Sequence, residues 1–92
     1  MNAIFQRIRQ ILEAAKAGAV RSVNTAQVAA NWLIGREIVE EEQKGKARAG
    51  YGEKLITGLS AQISAEYGKG YSVNNLEYFR KFYVTYPELL EN

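Results

Sequence analysis

"SVNTAQVAANWLIGREIVEEEQ", residues 22–43, is the stretch on which the fold turns. At about 100° per residue, Val23, Ala26, Ala30, Leu33, Ile34 and Ile38 fall on one stripe of a helix. Val28, Trp32, Gly35 and Val39 fall on a second stripe, nearly opposite. A helix with two apolar faces has to be covered twice, so it is central to a bundle or shared with a partner. Ser22 stands where an N-cap belongs. Trp32 is large enough to anchor whatever covers the second stripe. Glu40, Glu41 and Glu42 read as a solvated face.

Three further helices follow from the same periodicity. Residues 2–17 place Ile4, Ile8, Ile11, Leu12 and Ala15 on one stripe, with Gly18 positioned to end the run. Lys44 to Gly52 carries three glycines and is read as a loop. It is also the most basic window, with Lys44, Lys46 and Arg48. Residues 53–67 align Leu55, Ile56, Leu59, Ile63 and Tyr67. On another side they carry the small residues Thr57, Gly58, Ala61 and Ala65, which suit close approach of a second backbone. Gly68 closes that helix. Residues 72–86 form the last one, stopped by Pro87, which disfavours helical geometry in the residue before it. Phe79, Phe82, Tyr83 and Tyr86 are expected in the core. Asn74, Tyr78, Lys81 and Thr85 lie on the opposite side. No strand pattern is found, so the expected fold is all-α: one four-helix domain over residues 1–92.

Composition narrows the function. The 92 residues hold 47% hydrophobic and 24% charged side chains, ordinary for a globular chain. There is no Cys and no His. Thiol nucleophiles, disulfides and His-dependent triads are therefore excluded, and the commonest metal ligand is missing. Asp is absent too, and no convergent cluster of Glu, Lys, Tyr or Ser suggests catalysis. Neither a cofactor nor a metal site is expected. No apolar run reaches membrane-spanning length. The first residues lack the apolar segment of a signal peptide, so the expected location is the cytoplasm. The net charge is +2. The excess lies in residues 1–50, with eight Lys/Arg against five Glu; residues 51–92 have four against five.

Residues 68–83, "GKGYSVNNLEYFRKFY", hold the functional question. A short helix, a glycine turn and a second helix is the layout of a helix-turn-helix. In that reading the third helix supports and the fourth reads. Asn74 would meet adenine in the major groove. Ser72, Lys69 and the free N–H groups of the first turn would hold phosphate. The structural alternative makes Ser72 a cap and the asparagines ordinary first-turn residues. Spacing alone leaves both open, and the slight acidity of the second half weighs against DNA.

Two segments, "NWLIGREIVEEEQKGKARAGYGEKLITGLSAQI" and "YGKGYSVNNLEYFRKFYVTYP", resemble the N-terminal domain of the YhcG-like family of bacterial proteins. The positions that carry the likeness are Trp32, Ile34-Gly35, Tyr51-Gly52, Leu59-Ser60, Gly70, Ser72, Asn75, Leu76, Arg80, Tyr83 and Pro87. Tyr51 departs mildly, since the family often has tryptophan there. Family members usually continue into a domain resembling PDDEXK nucleases, whose Asp, Glu and Lys hold a divalent metal. Those positions are missing here, so no catalytic residue is carried over. The sequence looks like an N-terminal fragment or a stand-alone copy. The resemblance implies a helical DNA-binding module that delivers a nuclease to its substrate. Asn75 and Arg80 flank the apolar stripe, which suits a structural tie as well as a phosphate contact by Arg80.

The expected function is therefore a non-catalytic nucleic-acid-binding module with a C-terminal nuclease-like domain and DNA as partners. The expected site is Lys69, Ser72, Asn74, Asn75, Tyr78, Arg80 and Lys81, with Lys44, Lys46 and Arg48 as electrostatic support. The competing expectation is a protein-interaction or homodimer module with no nucleic-acid contact. It would use Val28, Trp32 and Val39 across a two-fold interface.

Overall fold

A computed structural model describes residues 2–17, 23–45 and 50–90. Four helices carry them: α1 (Asn2–Ala17), α2 (Val23–Lys44), α3 (Tyr51–Tyr67) and α4 (Val73–Thr85). The described residues contain no strand, and the fold is all-α. Lys46 and Arg48, and the expected termini at Gly18 and Ser22, lie outside the described residues.

One apolar core holds the helices together. Ile4, Ile8 and Leu12 come from α1, Ala30, Ile34 and Ile38 from α2, Leu55, Ile56, Leu59 and Ile63 from α3, and Leu76 from α4. Each large side chain buried this way contributes roughly 1.5–3 kcal/mol over leaving it in water. The first stripe of α2 thus faces α1 and α3. Its second stripe is covered by α4, which lies mainly along α2. Both faces of the central helix are thus covered inside the chain except at Val28, which stays exposed.

That arrangement corrects the placement of Trp32 at a dimer surface. Its side chain is fully buried. The ring meets Tyr83 edge-on at 5.0 Å between centroids, and Nε1–H donates to the Tyr86 carbonyl at 2.7 Å. Val39 is half-buried, and of the three expected interface residues Val28 alone stands exposed. The close packing of α4 on α2 passes over Gly35. A Cβ there would meet the Phe79 carbonyl oxygen and lie 2.7 Å from its carbon.

Three other expectations are revised. Of the glutamate run, Glu40 is exposed, whereas Glu41 and Glu42 keep only 18% and 17% of their side-chain surface. Glu41 pairs with Arg7 at 3.3 Å and accepts from the Tyr51 hydroxyl at 3.0 Å; Glu42 accepts from Arg80 Nε at 2.7 Å. The run therefore ties α2 to α1, α3 and α4 instead of merely facing water. The α4 aromatics are not uniformly core. Phe79, Phe82 and Tyr83 are half-buried, Tyr86 is exposed, and Leu76 is the side chain that α4 buries fully. An outer helix packed mainly on one neighbour has only a narrow interior face. Finally, of the small residues on α3, Thr57, Ala61 and Ala65 are exposed and Gly58 is half-buried.

Helix α3 begins at Tyr51, two residues before the expected Glu53. Gly50 takes the N-cap position at φ 72°, and its carbonyl accepts from Lys54 N–H at 3.1 Å. Only a glycine adopts that left-handed geometry without strain. The loop reading, drawn from glycine content, thus ran two residues too far.

Candidate nucleic-acid interface

The turn between α3 and α4 is built from backbone geometry and the polar side chains of Ser60, Ser64, Ser72 and Asn75. Gly68 and Gly70 have φ of 77° and 107°, in the region that favours glycine. Gly68 N–H donates to the Ser64 carbonyl at 2.9 Å and closes α3. Ser60 Oγ donates to the Tyr71 carbonyl at 2.8 Å, fastening the turn to α3. Ser72 is the N-cap of α4, its Oγ accepting from Asn75 N–H at 3.2 Å. Asn75 Nδ2 donates back to the Gly70 carbonyl at 3.1 Å. Both residues therefore shape the turn, and one of the two Asn75 amide N–H donors is engaged in it.

Beyond the turn, α4 presents Asn74, Tyr78, Lys81 and Thr85 to solvent, as its periodicity predicts. Tyr78 is the most exposed large apolar side chain among the described residues, at 68%. It forms a ridge between two surface grooves. One is lined by Asn74, Glu77, Arg80 and Lys81. The other is lined by Lys69, Gly70 and Asn75, with Gln27 and Asn31 from α2. The structure thus brings Lys69, Asn74, Asn75, Tyr78, Arg80 and Lys81 to one side of the molecule. Lys44 lines neither groove; it lies at the end of α2, 3.9 Å from Glu41.

The electrostatics are modest. Lys69 and Lys81 are exposed and make no ion pair among the described residues. Arg80 is already matched by Glu42, and Glu77 shares its groove. Two free lysines remain as the ready cations of the surface. The described residues hold no cluster of three or more Asp, Glu, His or Cys able to take a metal, and no helix long and apolar enough to cross a membrane.

Sequence reading missed Gln27 and Asn31. They sit on α2, far from the turn in the chain, and Gln27 Nε2 donates to Asn31 Oδ1 at 2.7 Å. Their i, i+4 spacing is visible in the sequence, but their place beside Lys69 depends on how α4 packs. Glu42 was missed as the partner of Arg80 for the same reason.

The sequence matches the model of the family described as the DUF1016 N-terminal domain over residues 7–91. It is 42% identical over 86 residues to the Escherichia coli (strain K12) protein named "Putative nuclease YhcG". That match takes in 94% of this chain and 23% of the relative. The chain therefore spans about a quarter of the relative's length. No solved structure matches the chain.

Proposed function

The chain belongs to the DUF1016 N-terminal domain family, and from that premise we propose that it is a non-catalytic nucleic-acid-binding module. In this reading it holds an attached nuclease domain of the PDDEXK type against DNA. Helices α3 and α4 and their glycine turn act as a helix-turn-helix-like pair. The observation that carries the reading is the exposed side of α4 and the turn before it, where Asn74, Tyr78 and Lys81 on the helix and Lys69 on the turn stand free of the core. Lys69 and Lys81 meet phosphate, Asn74 has both a donor and an acceptor for a base edge, and Tyr78 supplies contact area. Ser72 and Asn75 shape the turn. Arg80 is held by Glu42 and takes a lesser part.

The test is DNA binding across a salt series, with wild type beside Lys69→Glu/Lys81→Glu. Arg80 is left alone because reversing it would break its ion pair with Glu42. The expected result is weaker binding and a log–log salt slope shallower by about 2, since each phosphate contact contributes roughly 0.9. Unchanged binding by a folded double mutant would remove this face from the site.

A second reading, homodimerisation, keeps one observation of its own. Val28 and Ala29 on α2 form a groove with Thr25, Leu89 and Leu90, and none of the described residues that line it is charged. Val28, Leu89 and Leu90 are each nearly half exposed. Its described lining is apolar apart from Thr25, the composition that interface cores favour. Sedimentation of wild type and Val28→Glu tests it. A concentration-dependent dimer lost in the variant supports the reading, and a wild-type monomer at high concentration ends it.

A further inference from the structure

Resting on the nucleic-acid reading above, we infer that the surface around Tyr78 takes unpaired bases of a DNA strand in preference to intact duplex. Three observations lead there. The first is charge. Duplex affinity comes mostly from neutralised phosphates, and this face offers two free cations, Lys69 and Lys81, because Arg80 is held by Glu42 and Glu77 stands in the same groove. A surface so sparingly charged has to draw its affinity from elsewhere.

The second is Tyr78. Its ring is 68% exposed on the middle of α4, with a groove on each side. Aromatic rings presented in this way are platforms on which unstacked bases lie, and stacking tolerates any base. In a duplex the base faces are hidden by their neighbours, so an exposed ring gains little from it.

The third is the amide pair on α2. After the Gln27 Nε2 to Asn31 Oδ1 hydrogen bond, Gln27 keeps its Oε1 acceptor and Asn31 its Nδ2 donor. Both line the groove beside Tyr78. A donor next to an acceptor matches the Watson–Crick edge of a base, which is accessible only when that base is unpaired. A base stacked on Tyr78 would turn its edge toward these amides, with Lys69 beside them for phosphate.

The experiment is a binding comparison on one fluorescent oligonucleotide offered single-stranded, fully duplexed, and as RNA of the same sequence. It uses wild type, Tyr78→Phe, Tyr78→Ala and Gln27→Ala/Asn31→Ala. The inference expects single-stranded DNA to bind tighter than duplex. It expects Tyr78→Ala to weaken the single-stranded complex at least about fivefold. Tyr78→Phe, which keeps the ring, should stay near wild type, and the amide double variant should bind the single strand more weakly than wild type while its duplex binding is unchanged. Equal or tighter duplex binding, or the same loss on both substrates in Tyr78→Ala, overturns the inference and leaves the parent reading standing. Preference for RNA overturns the assignment to DNA. Binding to none of the three brings down the parent reading together with this one. Tyr78 is exposed, so its substitution leaves the core intact.

Discussion

Gly35 of α2 lies directly under the main chain of Phe79 on α4: a Cβ added at Gly35 would meet the Phe79 carbonyl oxygen and come within 3.1 Å of Tyr83 Cβ. The contact is with backbone, so no side-chain rotation relieves it, and α4 would have to lift away. Overpacking of this kind costs about 1–3 kcal/mol. Alanine regains about 0.8–1.0 kcal/mol in helix propensity over glycine. The clash outweighs that gain because it displaces a whole helix. Gly35→Ala is therefore expected to destabilise by up to about 2 kcal/mol in urea unfolding. A variant as stable as wild type would show that α4 does not pack this closely.

Arg80 and Glu42 form the ion pair that joins α4 to the end of α2, at 2.7 Å. Arg80 is 40% exposed along its side chain, so screening keeps the pair's contribution small. A double-mutant cycle of Arg80→Ala and Glu42→Gln should show a coupling of about 0.5–1 kcal/mol. The same Glu42→Gln variant separates the structural role of Arg80 from a phosphate contact. If the freed guanidinium reaches DNA, binding tightens about two- to threefold at low salt and the salt slope steepens. Unchanged affinity and slope would confine Arg80 to the fold.

Tyr67 and Glu13 tie the end of α3 to α1 through a hydrogen bond from the hydroxyl to the carboxylate. That bond, helped by Lys16, lowers the Glu13 pKa below its ordinary value. Burial, then the hydrogen bond and charge of Glu13, push Tyr67 up to about 12. The depressed carboxylate contributes stability above the unfolded pKa that fades as pH falls through the folded one. The raised phenol contributes stability below pH 10 that fades as pH rises toward 12. The advantage of wild type over Tyr67→Phe in thermal midpoint should therefore be largest near neutrality and shrink along both pH limbs. A constant difference at all pH values would exclude this linkage.

The helices were legible because each apolar stripe has a clear 3.6-residue period and Gly and Pro punctuate the ends. The two faces of α2 announced that something covers Trp32, but not what. A stripe records that a face is apolar, and the identity of its cover is settled by chain reversal and helix crossing, which leave no local mark. Hence the sequence leaves Trp32 open between a bundle neighbour and a partner, and it is α4 that lies on it. The outward side of α4 was legible for a related reason: Asn74, Tyr78 and Lys81 oppose Leu76 on one helix. Gln27 and Asn31 were not, since only tertiary packing brings α2 beside the turn. The glutamates misled because burial of a charge depends on an arginine at 34 or 38 positions' distance, Arg7 for Glu41 and Arg80 for Glu42.

Trp32 offers the last test, of whether the chain after α4 is held by this ring. It is the single tryptophan, fully buried, and its indole N–H holds the Tyr86 carbonyl at 2.7 Å. Phenylalanine keeps an aromatic face for Tyr83 but is smaller and has no donor. Shrinking the ring opens a void, and the Tyr86 carbonyl loses its partner beside the turn that Pro87 forces. Together these changes are expected to cost about 1.5–3 kcal/mol, followed by circular dichroism because the fluorophore is gone. Tyr78→Ala, at a solvated position on the same helix, should stay within about 0.5 kcal/mol of wild type. Equal stability of the two variants would mean that Trp32 is not the joint between α2 and the end of α4. A loss confined to Trp32→Phe places the hold on the chain's last described residues in the core, and leaves the opposite side of α4 free for binding.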